Sequence, residues 1–242
     1  MSKPPVSRNK PRWHPSPNHG ERRDGLLPEL VVLHYTAMAN AEVSLARLCS
    51  TEHEVSAHYL IARTGEVVQL VDETQRAWHA GAGSWAGRGD VNSRSIGIEL
   101  DNSGLFPFPE PQMAALTLLI SDIRARWGIA PEGVIGHSDF APARKRDPGP
   151  RFDWKRLARA RQSVWPELGD ETPDPVAADT DAGFLADAAR FGYPAGEGAE
   201  TILSAFRLRF RPWARGPLDG VDHAMARNLA DRFGVDRAPS NA

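Results

Sequence analysis

One short segment of the chain collects residues that suit metal and acid–base chemistry. Between Gly136 and Gly149 the sequence reads Gly-His-Ser-Asp-Phe-Ala-Pro-Ala-Arg-Lys-Arg-Asp-Pro-Gly, which contains His137, Lys145 and Asp147. Imidazole and carboxylate groups are zinc ligands, and a nearby ammonium group suits negative charge that develops on a substrate. Two ligands do not complete a zinc site, so a third must come from elsewhere in the sequence.

The elements that position these residues are two apolar runs, each of which ends at a histidine. Residues 29–33 precede His34, and residues 134–136 precede His137. Both runs are short and β-rich, which favours central strands covered by helices on both faces. If the strands are parallel, both imidazoles lie at one edge of the sheet, where open α/β folds bind ligands. Asp147 would then complete three protein ligands and leave a fourth position for water. The alternative is that each histidine is a hydrogen-bonded structural residue.

A third run, residues 95–100, alternates with a period of two. This alternation predicts a strand with Ile96, Ile98 and Leu100 on one face and Gly97 and Glu99 on the other. Glu99, beside a small glycine, could reach a cavity. The alternative is a solvated carboxylate on an edge strand.

Two further histidines each allow two interpretations. His58 begins a predicted hairpin, residues 58–62 and 66–71, in which Gly65 suits the tight connection, and it either supports the site or anchors the sheet. His79 follows Trp78 in a loop rich in glycine, serine and tryptophan, which is typical of a substrate rim. We expect His79 to contact substrate, because imidazole suits a carboxylate or carbonyl group.

Six motifs follow one another along the chain in a characteristic order. They are Val-Leu-His-Tyr-Thr at 32–36, Ser-Ala-His-Tyr-Leu-Ile at 56–61, Ala-Trp-His-Ala-Gly at 77–81, the segment 92–100, Gly-His-Ser-Asp at 136–139 and Arg-Lys-Arg-Asp-Pro-Gly-Pro at 144–150. Their order and spacing resemble those of the zinc-dependent N-acetylmuramoyl-L-alanine amidases of the type 2, T7-lysozyme-like class, to which peptidoglycan-recognition proteins are also related. The resemblance covers roughly residues 13–165.

The resemblance implies a role for each candidate residue. It implies one Zn²⁺ per chain, held by His34, His137 and Asp147. Glu99 would take the proton of the attacking water and pass it to the departing amine, and Lys145 would stabilise the oxyanion. These roles meet the needs of amide hydrolysis, which requires an activated water, a stabilised oxyanion and a proton for the leaving nitrogen.

The implied fold is α/β, a mixed central β-sheet flanked by helices, followed by a small C-terminal three-helix domain. The implied partners are peptidoglycan or muropeptide fragments. We predict substrate contacts from five residues: Tyr35, His58, Trp78, His79 and Asn92.

Bulk properties agree with a soluble enzyme. The chain has 242 residues, a formal net charge of −2 and one cysteine, Cys49. Slight negative charge gives no reason to expect nucleic acid as a partner, and a single cysteine excludes an intrachain disulfide. No run approaches the roughly 18 apolar residues of a membrane helix, and the amino terminus lacks a secretory apolar segment. We therefore expect a cytoplasmic monomer without a transmembrane segment. The alternative is a role at the cell envelope, where a wall-binding domain would be more useful.

Composition changes after Trp165 and indicates a boundary. We predict an extended arm over residues 1–25, a catalytic domain over 26–165, an acidic, proline-rich linker over 166–180 and a helical domain over 181–242. Three helical patterns, 182–191, 199–211 and 221–233, resemble the peptidoglycan-binding module often joined to these amidases. The alternative is a helical appendage that only packs on the catalytic domain.

The sequence as a whole predicts a hydrolase that cleaves the amide between the lactyl group of N-acetylmuramic acid and L-alanine, in cell-wall turnover or muropeptide recycling. One alternative is a peptidoglycan-recognition protein without turnover. Such proteins lose metal ligands or the catalytic acid/base, whereas all five residues are present here. A second alternative is a zinc peptidase with another amide substrate, although the His-Glu-x-x-His helix of the commonest zinc peptidases is missing.

Overall fold

A computed structural model describes residues 10–169 and 181–235 of the chain. Its strands are β1 (Arg12–Trp13), β2 (His19–Gly20), β3 (Leu30–Tyr35), β4 (Tyr59–Ile61), β5 (Val67–Gln69), β6 (Arg76–Ala77), β7 (Ser95–Leu100) and β8 (Val134–Gly136). Its α-helices are α1 (Ala41–Leu48), α2 (Val91–Arg94), α3 (Glu110–Trp127), α4 (His137–Phe140), α5 (Trp154–Arg159), α6 (Asp181–Phe191), α7 (Ala199–Phe210) and α8 (Gly220–Phe233). Short 3₁₀ turns occur at Arg23–Gly25 and Pro131–Gly133.

The central sheet has six strands in the order β1-β5-β4-β7-β3-β8. Among the described residues of this sheet, β4 and β5, the predicted hairpin, pair antiparallel, and the other neighbours are parallel. The predicted α/β class with a mixed central sheet is therefore confirmed. The topology also places β3 between β7 and β8, so the three strands that carry candidate residues are consecutive.

Alternation along β3 and β7 divides their side chains between two cores. Ile96, Ile98 and Leu100 pack on one face of the sheet against α3, together with Val31 and Leu33. The opposite face of the same strands carries the candidate residues. A continuous apolar layer behind these strands holds the backbone beneath the site in place.

The helices form close to the predicted bounds, with one clear exception. The helix α3 begins near Pro111, as expected of a proline in a first helical turn, and ends at Gly128, whose φ of 69° is left-handed. The sequence pattern over 154–164 also predicts a helix, but α5 ends earlier, at Arg159. Arg161 has a φ of 59°, which a continuing α-helix does not allow, and Arg124 donates to its carbonyl group.

The described part of the expected N-terminal arm is paired with the rest of the molecule. The strand β1 pairs in parallel with β5, and β2 pairs antiparallel with β6. Arg22 donates to the carbonyl groups of Glu73 and Ser93, at 2.8 Å and 2.9 Å. Residues 10–25 therefore pack on the catalytic region, and the remaining part of the predicted arm, residues 1–9, lies outside the described residues.

The three C-terminal helices share an apolar core with the catalytic region. Phe191 and Tyr193 pack edge-on against Trp85, and Phe206 belongs to the same buried cluster as Val32 of the sheet. This direct packing is what the appendage interpretation expects. Most of the predicted linker, residues 170–180, lies outside the described residues.

Among the described residues, none of the helices combines the length and the apolar character needed to cross a membrane.

Candidate active site

His34, His137 and Asp147 converge at one point of the structure. Nδ1 of His34 lies 2.9 Å from Nδ1 of His137 and 2.8 Å from Oδ2 of Asp147. The remaining side of this triangle, from His137 Nδ1 to Asp147 Oδ2, is 3.0 Å. All three residues are buried. Two imidazole nitrogens and a carboxylate oxygen at such separations can bind one cation together.

The sheet brings these residues together. His34 is the fifth residue of β3, and His137 follows the last residue of β8, the parallel neighbour of β3. Asp147 comes from the loop that follows α4, and its carbonyl group accepts a hydrogen bond from the backbone of Ser138 at 3.0 Å. The carboxyl ends of neighbouring parallel strands meet at one sheet edge, as the sequence predicts.

A chain of hydrogen bonds fixes the tautomer of His34. The hydroxyl of Ser95 donates to the carbonyl of Val91 at 2.5 Å, so its oxygen accepts from Nε2 of His79 at 3.1 Å. Nδ1 of His79 then carries the lone pair and accepts from Nε2 of His34 at 3.0 Å. This order leaves Nδ1 of His34 unprotonated and directed at His137 and Asp147, which is the state that binds a metal.

His137 is held in the same state by the backbone. Its Nε2 donates to the carbonyl of Ala80 at 3.0 Å, so its Nδ1 also carries a lone pair. The ring stacks on Phe140 with centroids 5.0 Å apart. Both imidazoles therefore present unprotonated nitrogens to the carboxylate of Asp147, and this donor set fits a zinc ion.

The electrostatics of the cluster favour the same protonation states. Burial lowers the pKa of His137 to about 4, because the protonated ring loses its hydration. Burial opposes ionisation of Asp147, but the close contacts of its carboxylate with His137 and His34 outweigh it and hold the pKa of this carboxyl well below its usual range. At neutral pH the cluster therefore has a neutral His137 and an ionised Asp147.

Glu99 lies on β7 directly beside His34, its partner in the parallel register. Its Oε2 is buried and has no hydrogen-bond partner within the described parts of the chain. Burial raises the pKa of this carboxyl to about 7, because the charged form is poorly solvated there. Since β7 is an interior strand, the interpretation of Glu99 as an edge-strand surface residue is wrong.

A cavity of about 440 Å³ opens over the cluster. Glu99 and Lys145 line it, as do three of the predicted substrate contacts, Tyr35, Trp78 and His79. The structure thus places a carboxylate, a cation and two aromatic side chains around the three candidate ligands. A larger groove, about 870 Å³, lies between β5 and α3 and does not contain the cluster.

The other two predicted substrate contacts, Asn92 and His58, do not line this cavity. The side-chain oxygen of Asn92 accepts from the backbone N–H groups of His79 and Ala80, at 3.0 Å and 2.8 Å. His79 reaches His34 from this loop, and Ala80 accepts from His137. Asn92 is therefore placed to hold the loop that supports both candidate ligands.

His58 is fully buried within the sheet, which agrees with its interpretation as an anchor. Its Nδ1 accepts from the backbone N–H of Gly97 at 3.0 Å, and its Nε2 lies 3.1 Å from the carbonyl of Gln75. Burial and the nearby Arg22 lower the pKa of His58 to about 3. The ring is therefore neutral and joins β7 to the loop before β6.

Sequence reasoning missed two residues that shape the site. Arg144 donates from Nε to the carbonyl of Ala82 at 2.8 Å and from Nη2 to the carbonyl of Ala80, and it lines the cavity. Its position beside Lys145 in the sequence hinted at a role in the site, but a run of basic residues does not reveal which side chain turns toward the backbone.

Gly97 is the second missed residue, because the sequence indicated only that it is small. A Cβ built on it would lie 2.4 Å from Cγ of His79, so the His79 ring requires a glycine there.

A candidate metal-ligand triad beside a desolvated carboxylate, at the open edge of a mixed sheet, is typical of one class of protein: hydrolases that use a metal to activate water. Residues 24–150 match the family profile described as N-acetylmuramoyl-L-alanine amidase. The chain belongs to this family.

Individual relatives support the assignment over most of the chain. AmiD of Escherichia coli is 37% identical over 238 residues, which cover 86% of this chain and 84% of AmiD. The structure of AmiD in complex with the substrate anhydro-N-acetylmuramic acid-L-Ala-D-γ-Glu-L-Lys superposes with a TM-score of 0.80 at 34% identity, covering 88% of this chain and 93% of AmiD.

Two further relatives carry related names. AmpDh3 of Pseudomonas aeruginosa, solved in complex with an anhydromuramic pentapeptide, matches with a TM-score of 0.75 at 32% identity over 97% of this chain and 100% of AmpDh3. The 1,6-anhydro-N-acetylmuramyl-L-alanine amidase AmpD of Enterobacter cloacae is 35% identical over 60% of this chain and 87% of its own length. Such relatives identify this protein as an enzyme of peptidoglycan metabolism.

Proposed function

We propose that this amidase is zinc-dependent and binds one Zn²⁺ per chain through His34, His137 and Asp147. Its reaction is the hydrolysis of the amide that joins the lactyl group of N-acetylmuramic acid to L-alanine of the stem peptide. The observation that carries the zinc assignment is the pair of fixed tautomers, which direct two unprotonated Nδ1 atoms at one ionised carboxylate. A bound Zn²⁺ would lower the pKa of water to about 7 and polarise the scissile carbonyl.

Glu99 is the proposed general base and acid. It lies beside His34 in the sheet, faces the cavity and has a buried, unpaired Oε2. A carboxyl whose pKa is raised to about 7 is well matched to accept a proton from water and return it to a leaving amine. Buried unpaired carboxylates are costly, which supports a chemical rather than a structural role.

Lys145 is the proposed oxyanion stabiliser. It lines the same cavity as Glu99, two residues before Asp147. An ammonium group at this place would face the negative charge that grows on the carbonyl oxygen during attack. In this proposal Glu99 transfers protons, and Lys145 stabilises the negative charge of the oxyanion.

Tyr35, Trp78 and His79 are the proposed substrate contacts within the cavity. Tyr35 and Trp78 provide aromatic faces for the sugar and the peptide. His79 is already bonded to His34 and Ser95, so its contact with substrate would come through its exposed edge. For Asn92 and His58 we propose indirect effects on substrate, through the loop and strand that they hold.

The substrate class is proposed from the relatives. AmiD and AmpDh3 were solved with anhydromuramyl peptides, and AmpD is named for 1,6-anhydro-N-acetylmuramyl-L-alanine. We therefore propose that this chain cleaves soluble anhydromuropeptides, as expected of an enzyme that recycles cell-wall fragments.

Incubation of the zinc-loaded protein with a soluble anhydromuropeptide and, separately, with intact sacculi tests substrate and metal together. We expect mass spectrometry to detect free peptide beginning with L-alanine from the soluble substrate. Prior treatment with a chelator should abolish this release, and added Zn²⁺ should restore it. Full activity in the chelated, metal-free protein would refute the zinc assignment, and release from sacculi alone would refute the proposed substrate.

We also propose that the helical region contacts peptidoglycan. A cleft of about 470 Å³ lies between the catalytic loop and α7, lined by Arg146, Pro150 and Arg215. Arg146 also lines the cavity over the zinc site, so the cleft and the cavity are adjacent. Trp213, on the turn just before Arg215, is 66% exposed. Cations and an exposed indole suit the carboxylates and sugars of peptidoglycan.

Sedimentation with purified sacculi tests this contact. We expect the double variant Trp213→Ala/Arg215→Ala to remain in the supernatant more than the parent protein does. Unchanged sedimentation would contradict the proposal.

The cytoplasmic location and the monomeric state remain predictions. Cell fractionation would check the location, and light scattering would check the monomeric state.

A further inference from the structure

The helical region places two side chains against α4, the short helix that begins at His137. The carboxylate of Asp139, on α4, is fully buried. Arg209 donates to its Oδ2 from Nη1 at 2.7 Å, and the hydroxyl of Tyr193 donates to its Oδ1 at 2.9 Å. The same Oδ2 accepts from the backbone N–H of Gly136 at 2.7 Å. Asp139 thus connects the helical region to the residue directly before His137.

Arg209 also reaches the beginning of β8. Its Nη2 donates to the carbonyl of Val134 at 3.0 Å and to the hydroxyl of Ser163 at 3.2 Å. Its guanidinium lies over the ring of Trp154, 4.3 Å from the centroid. Arg209 is only 2% exposed. Its planar guanidinium therefore forms hydrogen bonds with both ends of the segment that β8 and α4 form.

This segment has little other support from the sheet. The strand β8 has three residues, and its one sheet neighbour within the described residues is β3. Three residues form few ladder hydrogen bonds, and His137 follows directly where they end. The position of the His137 ring relative to His34 on β3 therefore depends on contacts from outside the sheet.

We propose that Arg209 and Tyr193 are positioning residues for His137, so that the helical region is a structural part of the metal centre. The inference rests on the proposed zinc site. A wall-binding appendage alone would not require a buried cation beneath the catalytic strand, because burial of an arginine is costly unless it is fully paired. Through Asp139 and Val134 the two side chains fix the segment that carries His137.

The test compares two pairs of matched substitutions in the full-length protein. Arg209→Met/Asp139→Asn removes the interdomain ion pair without leaving an unpaired charge. Arg207→Met/Asp222→Asn removes a similarly buried ion pair two residues away on α7, between α7 and α8 of the helical region. Tyr193→Phe removes only the hydroxyl group that donates to Asp139. We expect this variant to fold even if Arg209→Met/Asp139→Asn does not.

The readouts are zinc affinity, from competition with a chromophoric chelator, and the visible spectrum of the Co²⁺-substituted protein. We expect Arg209→Met/Asp139→Asn to weaken zinc binding by about 10-fold or more and to change the Co²⁺ bands, as loss of outer-shell support does elsewhere. We expect Tyr193→Phe to weaken zinc binding less, and Arg207→Met/Asp222→Asn to lower the melting temperature with unchanged zinc affinity.

Three outcomes would overturn the inference. One is a folded Arg209→Met/Asp139→Asn variant with parental zinc affinity and spectrum. Another is an equal loss of zinc affinity in the Arg207→Met/Asp222→Asn control, since the effect would then be general destabilisation. If the first pair does not fold, parental affinity and spectrum in Tyr193→Phe overturn it. Failure of the parent protein to bind zinc would instead refute the proposed function.

Discussion

At the scale of single residues, the site depends on which imidazole nitrogens carry protons. The tautomer of His34 is fixed by a chain of hydrogen bonds that runs through His79 and Ser95 to the carbonyl of Val91. The tautomer of His137 is fixed by the carbonyl of Ala80. In both histidines the proton on Nε2 is directed to an acceptor within the protein, so each Nδ1 carries a lone pair. These tautomers suit the proposed zinc site, in which proton transfer is assigned to Glu99 as a proposal.

Replacement of Glu99 by glutamine separates metal binding from catalysis. The amide is almost isosteric with the carboxyl but cannot accept the proton of the attacking water. We expect Glu99→Gln to be folded, to contain parental zinc and to be nearly inactive, with kcat reduced by about 10²–10⁴-fold. Zinc content by atomic absorption and turnover of an anhydromuropeptide measure both effects. Substantial turnover in this variant would refute the assignment of Glu99 as general base.

Truncation of Lys145 should reduce rate more than metal content. Loss of one oxyanion donor typically lowers kcat by about 10²–10³-fold, and Lys145 is not among the three candidate ligands. Steady-state kinetics of Lys145→Ala, with zinc analysis of the same sample, check this expectation. Lys155→Ala, an exposed lysine on α5, is the control and should retain parental kcat. A loss of zinc equal to the loss of rate would assign Lys145 to metal retention instead.

At the scale of elements, close packing between neighbouring segments decides whether the ligands meet. The ring of His79 occupies the space that a side chain on Gly97 of β7 would need. The loop that carries His79 is fixed by Asn92, so the ring has little freedom to move. Strand β7 therefore supplies both the proposed general base, Glu99, and the space at Gly97 that the ring of His79 occupies.

Gly97→Ala tests this close packing. The new methyl group would lie 2.4 Å from Cγ of His79 and should displace the ring from Nε2 of His34. We expect zinc affinity to fall by about 10-fold or more, because His34 loses the partner that orients it. Chelator competition measures the change. Gly20→Ala, on β2 with no atom within 4 Å of the new methyl group, should bind zinc like the parent.

A buried acid beside α3 predicts how the fold responds to low pH. Burial alone would raise the pKa of Glu73, but hydrogen bonds from Arg126, Tyr59 and Trp127 outweigh it and lower this pKa below its ordinary value. The folded state therefore favours the ionised carboxyl. This stability is present above the unfolded pKa, about 4.5, and is lost as pH falls through the lower folded pKa.

We expect Glu73→Gln to be less stable than the parent at neutral pH and to lose less stability on acidification. Urea unfolding monitored by tryptophan fluorescence, from about pH 7 down to about pH 3, gives the two curves for comparison. Parallel curves for parent and variant would show that Glu73 does not contribute to the acid dependence.

At the scale of the whole molecule, the catalytic and helical regions share one apolar cluster and a buried ion pair. Elements with a common core unfold together in a cooperative transition. A ligand that binds only the folded state stabilises everything coupled to it, by about 2.7 kcal/mol at a concentration of 100 times Kd. Zinc bound at one sheet edge should therefore protect the C-terminal helices as well.

Calorimetry with and without Zn²⁺ tests this coupling. We expect one transition that moves to higher temperature with added zinc and to lower temperature with a chelator. In the His137→Ala variant the zinc-dependent shift should disappear. Two separate transitions, of which only one responds to zinc, would contradict the shared core.

Local patterns in the sequence were sufficient for strands β3, β4, β5, β7 and β8, for most bounds of the longer helices and for the identity of the candidate ligands, but they did not predict the two-residue strands β1, β2 and β6. Period-two alternation placed Glu99 opposite the core face of β7, and the paired apolar runs placed His34 and His137 at one sheet edge, because both features follow from backbone geometry alone. The order and spacing of the six motifs indicated the amidase family. None of these signals depends on contacts between distant segments.

Only the tertiary structure decided what surrounds those residues. The tautomers of His34 and His137, the roles of Asn92 and His58 in holding backbone, and the insertion of Arg209 beneath β8 all arise from contacts between segments far apart in the chain. A hydrogen bond from Arg209 to Asp139 spans 70 positions and leaves no periodic trace in the sequence. The sequence therefore determined which groups are candidates for the chemistry, and the packing of strands, loops and helices determined the protonation state and position in which each is held.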